Sequence, residues 1–316
     1  MTTFGIHLTA FDAPELRGDR LLPGLTELAD ALEGTPGFST LWLADHMQDL
    51  RPGSDRSPMP EAYLTLAALA ARTSRLELGV LATSVLYRSP ALLAKMATTL
   101  DALSGGRAIL GIGAGHPRTE AEHRSYGYEF PSVPQRMARL DEALVTIRRM
   151  VGGTADPDAP PNWPRPARVG GIPVLVAGSG EQRLLRIAAR HADLINLSFP
   201  SGDFIDRIPH KLAVLADHCR TVGRDPATIG VTYKAVLCVA DSAASARSAW
   251  DGWRHARGVP DGLDSRHGVF VGEPGEIAEQ LQPWLTSGIG HMVFELPDPH
   301  DRKTLIRASE LLSGLT

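Results

Sequence analysis

RLELGVLATSVLYRSPALLAKMATTLDALSGGRAILGIG, residues 75–113, is the stretch that decides the fold. Its two ends, 75–82 and 107–113, are short apolar runs of the kind that form buried strands. Between them lies a helical pattern over 90–103. Ser89 is a good N-cap and Pro90 a good first helical residue. Gly105 and Gly106 suit a left-handed cap at the other end. Strand, helix and strand so closely spaced form a unit with parallel strands.

The same alternation continues outward in both directions. Further strand-like runs occupy 4–10, 38–44, 173–177, 193–198, 229–239 and 290–296. Further helical patterns lie near 20–33, 60–72, 134–151, 181–191, 203–222, 243–257, 275–287 and 301–313. Eight strands, each followed by a helix, predict an α/β fold closed into a single (β/α)8 barrel, a TIM barrel. Continuously apolar strands fit a parallel sheet covered on both faces. One domain spans 1–316, because the Pro- and Gly-rich stretch 152–171 is too short for another. The span 243–274 predicts an insertion between strands seven and eight, made of an extra helix and a loop.

Composition narrows the function. The chain has 316 residues, 43% hydrophobic and 22% charged, with a net charge of -4 and no basic run. That excludes an electrostatic footprint for nucleic acid. No apolar run approaches the ~20 residues a membrane helix needs, and none is preceded by the charged start of a secretory signal. A cytoplasmic protein without nucleic-acid or membrane partners is expected. Cys219 and Cys238 form no CxxC and read as buried bystander thiols.

In such a barrel, chemistry gathers where strands end. Strand two ends in Asp45-His46, a carboxylate beside an imidazole that could act as an acid/base pair or simply cap a turn. After strand three, Tyr87 and Arg88 reach a ligand or pack over the rim. Strand four ends in Gly111-Ile112-Gly113-Ala114-Gly115-His116, whose glycines let backbone approach a flat ligand. It is not a dinucleotide fingerprint, because His116 stands at the sixth position. His116, Glu120 and His123 have helical spacing, but Pro117 intervenes and no HExxH occurs, so no metal site is expected. Strand five ends in Val176-Ala177-Gly178-Ser179-Gly180-Glu181 and opens a helix, the best anion site in the chain. It also fails the fingerprint, because Arg183 replaces the last glycine, and no P-loop or GxSxG elbow exists. Ser104-Gly105-Gly106-Arg107 lies on the opposite face and is read as structural. The residues alone give a barrel enzyme with a phosphate-bearing ligand and a histidine at its mouth.

As a set, further residues resemble the luciferase-like superfamily, and within it the branch that uses coenzyme F420. They are Gly37-Phe38, Trp42 and Asp45-His46, then Pro60-Glu61-Ala62-Tyr63, Thr73-Ser74-Arg75-Leu76 and Leu78-Gly79. Tyr87-Arg88-Ser89-Pro90, Leu93-Ala94-Lys95 and Asp101 to Arg107 continue the match. So do Gly111-Ile112-Gly113, Tyr126-Gly127, Phe130-Pro131, Arg136, Ile172 to Leu175 and Ala192-Asp193.

The resemblance implies a bacterial-luciferase-like barrel with the deazaflavin ring across its mouth. The ring lies on a bulge after strand three that carries a cis peptide at Leu81-Ala82. Gly113, Ala114 and Gly115 border the ring. Gly178, Ser179 and Gly180 hold the phosphate, and Ala177 beside them also binds the cofactor. Asp45 contacts the cofactor, His46 faces the substrate, and His46 or His116 handles the proton. The implied reaction is hydride transfer to or from a small organic substrate carrying C=C, C=N, C=O or an alcohol. The substrate pocket then comes from loops 46–60, 116–130 and 240–272. Family analogy implies a homodimer, supported by the apolar helix 60–72. A two-component monooxygenase using reduced FMN and a separate reductase is the alternative, and a non-catalytic flavin-binding barrel the third. Luciferase-type monooxygenases tend to carry Glu-His-His where Asp45-His46-Met47 stands, which favours F420. Three departures argue against glucose 6-phosphate as substrate: Leu50 replaces a Trp, His116 replaces a Glu, and 198–203 lacks a Lys.

Overall fold

Eight parallel strands close into a barrel in a computed structural model that describes all residues except 55, 56, 155, 159, 199–203 and 316. They are β1 (Thr3–Leu8), β2 (Thr40–Leu43), β3 (Glu77–Val80), β4 (Ala108–Gly113), β5 (Val174–Ala177), β6 (Leu194–Ser198), β7 (Gly230–Val239) and β8 (His291–Glu295). Each pairs with the next, and β8 pairs with both β7 and β1. Around them run α1 (Leu21–Glu33), α2 (Ala62–Ala70), α3 (Pro90–Ser104), α4 (Glu120–Ser125), α5 (Val133–Val151), α6 (Leu184–His191), α7 (Ile208–Thr221), α8 (Ala243–Ala256), α9 (Pro274–Leu285) and α10 (Arg302–Ser313). The barrel is the one expected.

Local chemistry accounts for the element ends. Ser89 Oγ accepts from the Leu92 amide at 3.4 Å, Pro90 opens α3, and Gly105 closes it at φ 69°. Arg107 then fixes the turn that returns to β4. Its guanidinium donates to the carbonyls of Ala70, Thr73, Leu76 and Ser104 and to the Thr73 hydroxyl. The structural reading of the Ser104–Arg107 motif therefore holds. Asp101, fully buried, accepts from the amides of Ala108, Ala167 and Arg168 and ties the 152–171 excursion to the foot of β4.

Side chains fill the barrel. Trp42, Leu81, Ile109, Leu175 and Val293 form an inner cluster distinct from the larger core under the helices. Gly79 makes room for Trp42, since a Cβ there would stand 2.4 Å from the indole. The strand after β3 carries the expected bulge. Leu78 and Gly79 pair with Ala108 and Ile109, whereas Thr83 and Ser84 pair with Ile112 and Gly113. One strand thus advances one residue more than its neighbour, the definition of a bulge. The Leu81–Ala82 peptide within it is cis.

Four expectations need correction. The helix after strand five starts at Leu184 and not at 181, because 181–183 form a turn. The helix expected over 203–222 is Ile208–Thr221, preceded by a turn at Ile205–Arg207; 199–203 lie outside the described residues. Loop 116–130 contains α4, which is too short for a periodic signal. The insertion holds a helix and also a strand, Val269–Gly272, which pairs with the far end of β7 at Val236–Val239.

A buried ionic cluster clamps this insertion to the barrel. Glu295 at the end of β8 meets Lys234 of β7 at 3.1 Å and Arg257, just after α8, at 2.9 Å. Thr9, following β1, donates to the same carboxylate at 2.5 Å. Burial pushes the Glu295 carboxyl up, but Lys234 and Arg257 outweigh it and hold it at about 2. Glu295→Gln should destabilise the fold by about 3 kcal/mol in denaturant unfolding at pH 7, the low end for a broken buried pair because both cations are partly exposed. The contribution is complete above the unfolded carboxylate value of about 4.3 and is lost as pH falls from there through the folded value. Wild-type stability should therefore fall more steeply than the variant's across that acid window.

Candidate active site

Two hollows open at the carboxyl ends of the strands. The smaller, of about 480 Å³, is a groove across the exits of β2, β3, β4 and β5. The larger, of about 840 Å³, lies between the loop after β2 and 118–122 on one side and β1, β7, β8 and the insertion on the other. Among the described residues, His46 is the one side chain that lines both.

The groove gathers nearly all the expected cofactor positions. Asp45, Ala82, Gly113, Ala114, Gly115, Ala177, Gly178, Ser179 and Gly180 line it. Leu81 does not: it lines the larger cavity, so the bulge places its two residues in different hollows. Glycine, alanine and serine at the strand exits leave room for a flat ring system, and larger side chains, Tyr87, His123, Arg136 and Met137 among them, complete the lining. Its volume falls within the ~300–1,000 Å³ of small-molecule sites. Gly178 has φ 129°, and a Cβ there would press to 3.1 Å from the Leu184 side chain. At this end the amides of Ser179 and Gly180 donate to no acceptor among the described residues. Lys211 Nζ donates to the Ser179 carbonyl at 2.8 Å and pairs with Glu181 at 2.9 Å. Two amides at a strand exit, with the Lys211 ammonium beside the Ser179 carbonyl, fit a phosphate.

Asp45 and His46 do not form a pair. Both Asp45 oxygens take the Arg88 guanidinium, at 2.6 and 3.0 Å. Arg88 also binds Thr83 Oγ1 at 2.9 Å and the Glu61 carboxylate, and lies over the Tyr63 ring. A carboxylate held in such a fork is a fixed wall charge, so the acid/base reading of Asp45 is replaced by a structural one.

His46 turns the other way. Its Nδ1 lies 3.1 Å from Glu122 of α4, and Glu122 also accepts from the amides of Met47 at 2.5 Å and Gln48 at 3.4 Å. Burial alone would raise the Glu122 carboxyl. The hydrogen bond and charge of His46, the Tyr87 hydroxyl and the Met47 amide bring it below its usual value. Burial, and then Glu122, push the Tyr87 phenol well above its usual range, so it stays protonated.

The rival histidine has another task. His116 is exposed, lines only the groove, and caps the turn Pro117–Thr119 by accepting from the Arg118 amide at 3.1 Å. Partial desolvation by the groove around the ring, then the charges of Arg118 and Arg136, lower its pKa. His123 is buried, with ring nitrogens on Thr119 O at 2.7 Å and Ser84 Oγ at 3.0 Å, and stacks on Tyr87. Arg136 of α5 pins the β4 exit by donating to the Ala114 carbonyl at 3.1 Å while lying over Phe130.

Sequence reasoning missed Glu122, Lys211 and the cluster of Lys234, Arg257 and Glu295. Arg136 belonged to the quoted pattern, which gave it no role. Glu122 and Lys211 have no neighbouring motif, and only folding brings them to the mouth.

Comparisons with known proteins agree with this architecture. The family model for luciferase-like monooxygenases matches residues 2–258. The F420-dependent glucose-6-phosphate dehydrogenase 1 of Rhodococcus jostii (strain RHA1) is 27% identical, covering 92% of this chain and 91% of that protein. The F420-dependent hydroxymycolic acid dehydrogenase of Mycobacterium tuberculosis (strain ATCC 25618 / H37Rv) is 32% identical, covering 85% of this chain and 72% of that protein. Among solved structures, the monooxygenase RslO1 from Streptomyces bottropensis superposes with a TM-score of 0.78 at 20% identity, covering 99% of each chain. With its eight-stranded barrel, its bulge at Leu81–Ala82 and a family match over most of its length, the chain belongs to the luciferase-like monooxygenase family.

Proposed function

We propose that the chain is a coenzyme F420-dependent oxidoreductase that moves a hydride between the deazaflavin and a small organic substrate. One observation carries this reading: a groove lined at the strand exits by glycine, alanine and serine meets a larger cavity of mixed polar and apolar lining at His46. Both curated relatives named above are F420-dependent by name. When bound, the deazaflavin supplies the hydride donor or acceptor.

The residues of the chain divide the remaining work. Ala82, Gly113, Ala114 and Gly115 border the ring, and Asp45, locked by Arg88, presents a fixed carboxylate beside it. Ser179, Gly180 and Lys211 hold the phosphate. The substrate occupies the larger cavity. In the oxidative direction its C–H bond gives up the hydride, its O–H proton passes to His46, and C=O forms. In reduction the imidazolium returns the proton. Leu50 lines the larger cavity where the resemblance places a Trp, so glucose 6-phosphate is not the proposed substrate. The protein is further read as cytoplasmic, from its composition and two lone cysteines, and as a homodimer on family analogy, with Leu64 of the apolar helix α2 exposed.

Deazaflavin fluorescence should be quenched on titration with the protein, and reduced cofactor should produce no oxygen uptake. Tight binding of reduced FMN with oxygen consumption would overturn the reading in favour of a monooxygenase. Gly178→Val should weaken deazaflavin binding about tenfold or more, because a side chain at its positive φ strains the phosphate turn by ~1–3 kcal/mol. Unchanged affinity in the same titration would displace the phosphate from this turn. His46→Ala should lower single-turnover rates by ~10²–10⁴, the usual weight of a positioned acid/base, and leave deazaflavin affinity within about twofold. His116→Ala should keep turnover, and the reverse pattern would move proton transfer to the β4 exit.

A further inference from the structure

We infer that Glu122 is a positioning residue acting through His46: it fixes the imidazole hydrogen on Nδ1 and leaves Nε2 as the atom that exchanges a proton with substrate. The inference rests on the reading of His46 as proton carrier, and it assigns both the atom and its orientation.

Glu122 has almost no exposed surface, and its one ion-pair partner among the described residues is His46. A buried carboxylate without a lysine or arginine is costly unless hydrogen bonds replace its water. Here one oxygen takes the amides of Met47 and Gln48, and the other faces His46 Nδ1 at 3.1 Å. These contacts favour the ionised form, which can only accept hydrogen bonds. Nδ1 must then bring the hydrogen, and in the neutral ring the lone pair stands on Nε2. The other charges nearby do not compete for Nδ1. Asp45 is bound to Arg88, and the ring nitrogens of His123 are held by Thr119 and Ser84. His7 is buried and has a strongly lowered pKa, burial first and Lys234 second, so it stays neutral.

The two backbone amides also determine what Glu122→Gln does. They retain the side-chain oxygen, so the new NH2 group faces Nδ1 and donates to it. The hydrogen of His46 must move to Nε2, and the ring loses its outward-facing base.

Nitrogen-15 spectra of histidine-labelled full-length protein at pH 8 read the tautomer directly and need no substrate. The His46 signals are assigned by their loss in His46→Gln. The expected result is the Nδ1–H tautomer in the wild type and the Nε2–H tautomer in Glu122→Gln. An Nε2–H wild type overturns the inference, and this holds even if the variant does not fold. A folded Glu122→Gln that keeps Nδ1–H also overturns it. The proposed function fails separately, if His46→Ala retains full turnover while the tautomer result stands.

Discussion

One extra residue in the third strand organises the mouth of this barrel. A strand hydrogen-bonded on both sides cannot absorb an added residue by sliding, so the chain bulges where pairing lapses. Pairing with β4 is lost after Gly79 and resumes at Thr83. Between these points Leu81 turns into one hollow and Ala82 into the other. The neighbouring strand is adapted to it: a Cβ at Gly111 would stand 2.0 Å from the Val80 carbonyl oxygen. Below, Trp42 packs over Gly79 and closes the barrel, so the hollows lie above a solid floor.

Charge at the mouth is arranged in separate, satisfied units. Asp45 belongs to Arg88, Glu122 to His46, and Glu295 to Lys234 and Arg257. All three carboxylates are buried. Isolated, each would be driven to its neutral form. Paired, they become fixed dipoles whose directions are set before any ligand arrives, which is how an enclosed site avoids reorganising during reaction. His46 is the most accessible of these partners, with 30% of its side chain exposed against 22% for Lys234, 17% for Arg257 and 9% for Arg88.

The fold was legible because periodicity survives in single residues. Apolar runs marked every barrel strand, and Ser89, Pro90 and Gly105 marked the ends of α3. Thr83–Ser84 and α4 are too short to show a period, and Val269–Gly272 lies inside a span whose dominant pattern is helical. The groove was legible for a related reason: its walls are the strand exits themselves, where glycine and alanine clusters stand out. Partnerships were not legible. Asp45 and His46 are adjacent in sequence, but successive side chains of an extended segment point to opposite sides. Their true partners, Arg88 and Glu122, lie 43 and 76 residues away. Likewise, nothing local to Glu181 reveals that Lys211 will stand beside it.

The two hollows share part of the chain and differ in the rest. The groove is built from segments between Asp45 and Leu184, while the larger cavity takes one wall from 44–53, Met59, Leu81 and 118–122 and the other from His7, Thr9, Lys234, Glu295 and 253–259. That second wall is anchored by its own ionic cluster and shares no hydrogen bond with the Gly178–Gly180 segment among the described residues. Substitutions confined to that wall can therefore reshape the larger cavity without touching the groove. Substitutions in the shared stretch 44–122 have no such freedom, and His46, which faces both hollows, has the least.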